Sequence, residues 1–281
     1  MRIVDYHSVH GTEQRDGYIA IPGLSREGSS VSEFRKLTNL DIKLTRPTAF
    51  LYVDGFSISQ SEAGLNASTG DRKMPMLRSG SSYIAHEWLY RMKGREHIKH
   101  VNIISSTCAA GIQALWEADK LLKCPSGSIE EVIIIGAERT TPATIQLFSE
   151  LNIPVNCGDG FAYMRLIPGI DISQVQWKFA FNNNPFQFKK EDIDTLAPGC
   201  RIGYVKLHGT GTSANTEAES GLAQLATPIE YKSKIGHTQG VSSLLETCIL
   251  LDDPKIKGRI LVTANGLGGF YGAFLLTKQW H

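Results

Sequence analysis

The stretch that most constrains the fold of this sequence runs from an apolar strand through small residues into a helix. Residues 101–104 form a mainly apolar strand, and hydroxyl and small residues then turn the chain onto a helix predicted to end near Leu122. Cys108 stands at that turn and is followed by two alanines and a glycine. A thiol at a helix N-terminus meets the positive end of the helix dipole, which favours the nucleophilic thiolate. Strand, sharp turn, nucleophile and helix is the order of a nucleophile elbow, here with sulfur in place of a serine oxygen.

Two further stretches, both in the second half of the chain, set chemically active residues among small ones. The first reads Val-Lys-Leu-His-Gly-Thr-Gly-Thr and contains His208. The second reads Lys-Ser-Lys-Ile-Gly-His-Thr and contains Lys232 and His237. A free cysteine by itself is most often a buried small hydrophobe, and a lone histidine or lysine is more often structural. The three stretches together predict a catalytic site.

In their order these three stretches resemble the motifs of the β-ketoacyl synthases, the condensing enzymes of the thiolase superfamily. The resemblance covers roughly residues 79–155 and 203–281, and it is poor over the first seventy residues. It implies an α/β protein with the thiolase-like layered αβαβα fold, built from two similar halves. We therefore predict an N-terminal half, residues 1–170, that carries the nucleophilic cysteine, and a C-terminal half, residues 171–281, that carries both histidines.

The resemblance also implies a role for each candidate residue. Cys108 would accept the acyl group as a thioester, and the backbone N–H groups of Cys108 and Leu267 would form the oxyanion hole. His208 and His237 would stabilise the enolate left by decarboxylation of a malonyl thioester. Lys232, five residues before His237 as in the family, would set the electrostatics of the site. The substrate-binding residues would be Thr210, Thr212, Gly268 and Gly269.

Some features depart from the family pattern. Leu267 stands where the family has a gating phenylalanine, and Asn215 and Thr216 stand where an acidic residue is expected shortly before Glu219, a supporting carboxylate. The chain is also shorter than typical ketosynthases. An alternative therefore stays open, a non-catalytic partner of the chain-length-factor type. A thiolase-like, non-decarboxylating enzyme is disfavoured, because the C-terminal Cys248 lies on a predicted helix rather than in a glycine-rich loop.

Composition excludes several other classes of protein. The 281 residues are 42% hydrophobic and 20% charged, which allows a sizeable core. A formal net charge of +1 gives no general argument for nucleic acid or a membrane surface. Five cysteines at irregular spacing, without Cys-x-x-Cys, argue against a disulfide framework or a metal site. Without a predicted signal peptide or membrane span, we expect a cytoplasmic protein.

The resemblance implies partners as well. The phosphopantetheine of an acyl carrier protein or of CoA would arrive with the substrate, and no resident cofactor is expected. The family pairs the strand before the nucleophile across a two-fold axis, so residues 101–104 predict a homodimer or a heterodimer with a second ketosynthase-like subunit. The basic run from Arg91 to His100 offers a docking patch for an acidic carrier, although most charge runs simply face solvent.

Periodicity predicts further elements that frame the site. The expected helices cover Ser81–Met92, Thr144–Leu151, Glu217–Leu225 and Val241–Leu251. The expected strands cover Thr48–Val53, Glu131–Ile135, Phe161–Ile167 and Gly203–Leu207, with one strand starting at Trp177 and another ending at Ser233.

Overall fold

The computed structural model describes residues 1–25, 29–55, 81–179, 194–197, 199, 201–266 and 269–278. Within these ranges the main helices are α1 (Ser30–Thr38), α2 (Ser81–Arg91), α3 (Ala110–Leu122), α4 (Pro142–Glu150), α5 (Ser213–Ala223), α6 (Lys232–Ile235) and α7 (Ser242–Asp252). The strands are β1 (Arg2–His10), β2 (Glu13–Arg15), β3 (Tyr18–Ala20), β4 (Thr48–Asp54), β5 (Ile98–Ile104), β6 (Glu131–Glu138), β7 (Cys157–Gly158), β8 (Gly160–Ile167), β9 (Ile172–Phe179), β10 (Tyr204–Lys206), β11 (Thr227–Ile229), β12 (Gly258–Gly266) and β13 (Phe270–Lys278).

Two five-stranded sheets repeat one topology, although the sequence shows no internal repeat. The first has the order β5-β4-β6-β8-β1 and the second the order β11-β10-β12-β13-β9. Counted along the chain, both orders are third, second, fourth, fifth, first. Both also pair their strands in the same sense, with two parallel pairs followed by two antiparallel pairs. The first sheet uses strands from residues 2–167 and the second from 172–278, and the division into domains stays a prediction.

The two central helices, α3 and α7, lie between the two sheets. Alternate residues of β4, such as Leu51 and Val53, share one core with Val262 and Phe274 of the second sheet. The helices contribute small and branched residues to that core, among them Ala114, Leu115, Leu244 and Leu245. They approach closely because α3 carries Gly111, where any side chain would meet Ser243 and Leu244 of α7.

The outer faces of both sheets are covered as well. The other face of β4, including Phe50 and Tyr52, packs with Phe34 of α1 and Trp88 of α2. On the second sheet, Leu222 of α5 joins a smaller cluster, whose sheet residues include Val205, Leu261 and Ala273. Strands buried on both faces are characteristic of sheets covered by helices, which is why β4 and β6 read as continuous apolar runs. The layers are therefore helix, sheet, helix, sheet, helix, which confirms the predicted αβαβα fold class.

Several element boundaries were predicted wrongly, for local reasons. Helix α5 begins at Ser213, not Glu217, because the Thr212 hydroxyl caps it by accepting from the backbone N–H of Asn215. Helix α4 begins at Pro142 behind a Thr141 cap, as proline at the first helical position allows. Strand β9 begins at Ile172, five residues before Trp177.

The strand predicted to end at Ser233 also differs from the structure. It ends at Ile229, and Ser233 lies in the short helix α6. This helix ends at Ile235, and Gly236 caps it with a φ of +79°, a conformation that glycine adopts readily.

Candidate active site

Cys108 lies in a tight turn between strand β5 and helix α3. A 3₁₀ turn over Thr107–Ala109 joins the two, and Cys108 is buried in it. Thr107, a β-branched residue, has a φ of +50°, in the left-handed region that such residues rarely adopt. A nucleophile elbow is a sharp, strained turn between a strand and a helix, and the strained backbone at Thr107 fits that description. Such strain persists only where the surrounding structure holds it in place.

The fold brings Cys108 together with the two histidines of the second half. The Cys108 sulfur and one ring nitrogen each from His208 and His237 all lie within 4.8 Å of one another. The two imidazole rings meet edge to face, with centroids 5.4 Å apart and planes at 83°. One bound thioester can therefore contact a nucleophile and two imidazoles at once, which is the proximity that acyl transfer followed by carbanion chemistry requires.

The tautomer of His237 follows from its surroundings. The backbone N–H of Gln239 donates to Nδ1 of His237 at 2.9 Å, so Nε2 is the nitrogen that carries the proton. Gln239 reaches this position with a φ of +43°, at the start of a 3₁₀ turn that leads into α7. Phe148 of α4 packs against the ring at right angles, 5.3 Å between centroids. The His237 imidazole is thus held as a neutral N–H donor in a dry setting.

The position of His208 is fixed by hydrogen bonds of its backbone to a buried carboxylate. Its N–H and that of Gly209 donate to the two carboxylate oxygens of Glu219, the latter bond at 3.0 Å. Gly209 has a φ of +67°, which lets the chain turn directly after the histidine. Among the described residues Nδ1 of His208 has no hydrogen-bond partner, so its tautomer is not fixed in this way. Glu219 therefore supports the loop, as the sequence analysis expected of it.

Both imidazoles are kept neutral by burial and charge. Burial is the main cause that lowers the pKa of His208 and of His237 well below 6.5. The positive charges of Lys232 and Lys206 lower both pKa values further. Neutral imidazoles can donate hydrogen bonds to a developing enolate without themselves demanding a counter-ion.

Lys232 lies in a buried ion cluster with a residue that the sequence analysis missed. Its ammonium donates to Oε1 of Glu246 at 2.7 Å, and Lys206 pairs with Oε2 of the same carboxylate. All three side chains are at most 1% exposed. Lys206 was missed because a lysine in a three-residue strand carries no sequence signal for burial.

Solved structures reveal which fold this is, although no family model and no curated protein sequence matches the chain. The ketosynthase ApeO with its chain length factor ApeC, from Xenorhabdus doucetiae, matches at TM-score 0.66 and 15% identity, over 97% of this chain and 90% of that one. A type II PKS acyl-carrier protein in complex with its ketosynthase, AntDE:AntF, matches at TM-score 0.67 and 15% identity, over 84% and 79%. The chain has the thiolase-like fold of the ketosynthases.

Other proteins with the ketosynthase fold are longer than this chain. A β-ketoacyl synthase from Burkholderia phymatum STM815 matches at TM-score 0.61 and 18% identity, over 84% of this chain and 76% of that one. The chain spans 55% of the oxazolomycin ketosynthase domain OzmH KS7 from Streptomyces albus JA3453 (TM-score 0.61, 14% identity, 84% of this chain). It spans 33% of the PfaC keto synthase–chain length factor (TM-score 0.63, 17% identity, 89% of this chain).

The two threonine hydroxyls of the loop after His208 form hydrogen bonds within the loop and with the start of helix α5. Thr210 donates from both its N–H and its hydroxyl to Oδ1 of Asn215, at 2.9 and 3.0 Å. Thr212 caps helix α5. The two threonines predicted to bind the pantetheine arm therefore also hold their own loop in shape, and their role toward a substrate stays a prediction.

The glycine-rich loop between β12 and β13 lies against the nucleophile elbow. A side chain at Gly266 would meet the Thr107 side chain and, at 3.2 Å, the backbone nitrogen of Ala109. Gly269 has a φ of +85°, which suits a tight turn. The other two predicted members of the loop, Leu267 and Gly268, lie outside the described residues, so the second oxyanion donor stays a prediction.

The reactive cluster also has the donor set of a small metal site, because Zn²⁺ accepts one thiolate and two imidazoles. The ammonium groups of Lys206 and Lys232 act on both rings, and Glu246 pairs with both ammonium groups.

The basic run near the nucleophile strand is largely paired on the surface. Arg91 pairs with Glu87 and Lys93 with Asp41, both at 2.6 Å. Such exposed pairs contribute little stability. Arg95 and Lys99 of the same run donate instead to the backbone carbonyls of Tyr90 and Glu96. Among the described residues, no helix has the length and apolar character needed to cross a membrane.

Proposed function

We propose that this protein is a β-ketoacyl synthase that joins an acyl thioester to a malonyl thioester by decarboxylative Claisen condensation. The meeting of the Cys108 sulfur with both imidazoles within 4.8 Å carries this proposal. It is a cluster that brings a nucleophile and two neutral donors to one point. The setting would be polyketide or fatty-acid-like synthesis, in the cytoplasm.

The first half of the reaction would take place on Cys108. Its thiolate attacks the carbonyl carbon of the acyl thioester, and the tetrahedral intermediate expels the thiolate of the carrier. The oxyanion is held by backbone N–H groups, for which we assign Cys108 and Leu267. The acyl group then remains as a thioester on Cys108.

The second half would take place under the histidines. The malonyl thioester loses CO₂, and the electron pair of the broken C–C bond becomes an enolate whose oxygen accepts hydrogen bonds from His208 and His237. The enolate carbon attacks the acyl carbonyl on Cys108, a C–C bond forms, and the cysteine leaves as thiolate. Every atom balances without a resident cofactor, because phosphopantetheine arrives with the substrate on an acyl carrier protein or CoA.

A second reading has its own observation, the edge strand of the first sheet. Among the described strands, β5 pairs on one side only, and Val101 on it is 46% exposed. An edge strand with an exposed apolar residue suits pairing with another chain, and ApeO is a ketosynthase in complex with a chain length factor. The enzyme would then work as a homodimer or as one subunit of a heterodimer with a second ketosynthase-like chain. The alternative function is the non-catalytic partner in such a heterodimer, of the chain-length-factor type.

Carbon dioxide release separates the enzyme from the non-catalytic partner. Wild type should release CO₂ from a malonyl thioester, and His208→Ala or His237→Ala should lower the rate about a hundredfold or more, as loss of an oxyanion donor does. Both variants should still accept an acyl group on Cys108, because the histidines serve the enolate. Absence of CO₂ release by wild type, tested alone and with candidate partner subunits, would refute the enzyme proposal.

A further inference from the structure

Lys206 is a second buried lysine under the histidine pair, and none of the motifs above assigns it a task. It lies on β10, two residues before His208, and is 1% exposed. Its ammonium pairs with Oε2 of Glu246 and donates to the backbone carbonyl of Thr263 at 3.2 Å. Lys232 occupies the other oxygen of that carboxylate. One carboxylate is thus shared by two ammonium groups.

A buried lysine is costly unless its charge is matched, so this arrangement needs an explanation. Burial is the main cause that lowers the pKa of Lys206, and Glu246 opposes that shift. A second buried carboxylate, Glu219, adds a further negative charge and accepts a hydrogen bond from the hydroxyl of Thr263, at 3.4 Å, while the backbone carbonyl of the same residue accepts from Lys206. Two lysines and two glutamates therefore form a balanced set directly behind His208.

We propose that Lys206 is a positioning residue for the enolate-forming step, an inference that rests on the function proposed above. It acts through Glu246. With Oε2 held by Lys206, the carboxylate cannot turn both oxygens to Lys232, and the buried set carries no surplus negative charge. Surplus negative charge behind the histidines would oppose an enolate in front of them, whereas preorganised, balanced charges do not.

A double-mutant cycle on Lys206 and Glu246 tests the proposal. Two rates are measured on folded protein: acylation of Cys108 by intact mass, and CO₂ release from a malonyl thioester. Lys206→Met should slow CO₂ release at least about tenfold and change acylation by no more than about twofold, a coupling within the range known for buried charged neighbours. In the background of Glu246→Gln, the same change should cost little further, because the partner through which Lys206 acts is gone.

The control is Lys278 of β13, whose ammonium donates to the carbonyls of Leu250 and Asp253 at the C-terminal end of α7. Lys278→Met should leave the ratio of the two rates unchanged. If Lys206→Met does not fold, Lys206→Gln, which is similar in length and uncharged, replaces it throughout the cycle. Thermal unfolding of each variant verifies the fold.

Two patterns of loss would overturn the inference alone. One is a loss that is equal for acylation and CO₂ release, which indicates a general packing defect. The other is full additivity of the Lys206 and Glu246 substitutions, which indicates that they act separately. A wild type that performs neither step would remove the proposed function, and this inference with it. An active wild type with an unimpaired Lys206→Met variant would remove this inference and leave the function standing.

Discussion

Acidification should destabilise the folded protein through its two buried histidines. Burial, followed by the charge of Lys232, holds the pKa of His208 and His237 well below 6.5. Below pH 6.5 the unfolded chain therefore binds more protons than the folded one, and the free energy of unfolding falls with the pH. The contribution is fully present above pH 6.5 and is lost progressively as the pH drops toward the folded-state pKa values.

The size of the effect follows from linkage. Each pH unit below 6.5 costs about 1.4 kcal/mol per histidine while the folded imidazole stays neutral. A change from pH 7 to pH 5 should therefore cost up to about 2 kcal/mol for one such histidine and up to about 4 kcal/mol for both. Urea unfolding at the two pH values measures the loss, and comparison with His208→Gln and His237→Gln cancels the contribution of other titrating groups.

Each variant should show a pH dependence smaller than that of wild type, by up to about 2 kcal/mol between pH 7 and pH 5. The exposed His86 provides the matched control, because His86→Gln leaves the buried pair intact. If both buried-site variants keep the full acid sensitivity of wild type, the imidazoles are not neutral in the folded protein. The argument that they serve as neutral donors then fails.

Three further substitutions test the fold and the assembly. Gly236→Ala should destabilise the protein by more than about 1 kcal/mol in urea unfolding, because its φ is +79° and the added carbon would lie 2.7 Å from the Gly158 Cα. Gly221→Ala, in open space on α5, should instead stabilise it by roughly 0.5–1 kcal/mol. Val101→Lys on β5, the edge strand among the described strands of the first sheet, should shift a dimer toward monomer in light scattering, since edge lysines oppose strand pairing. An unchanged mass would argue against that edge as the interface.

Site residues can be predicted from the sequence where a short local segment is enough to identify them. Cys108 and His208 each follow a strand, His237 follows the short helix α6, and all three sit among small residues, so local pattern alone marks them as candidates. That they meet depends on the packing of α3 against α7, which Gly111 permits and which no local pattern reveals.

The features that sequence reasoning missed depend on contacts between distant segments. Lys206 looks like an ordinary charge on a short strand, and only its pairing with Glu246, forty residues later, explains its burial. The repeated strand order of the two sheets is likewise a property of pairing, since the two halves share no visible sequence repeat. Helix α5 began earlier than its apolar spacing indicated because Thr212 caps it, a signal that was present but was assigned to substrate binding.

The most direct test of the account is the intact mass of the protein after incubation with acyl thioesters. Short, medium and long acyl groups are offered on CoA and on an acyl carrier protein. Wild type should gain the mass of one acyl group from at least one donor, and Cys108→Ala should gain none while unfolding at a similar temperature, because two alanines already follow in the same turn. A wild type that stays unmodified with every donor, with and without a partner subunit, would contradict the claim that Cys108 is the acyl acceptor.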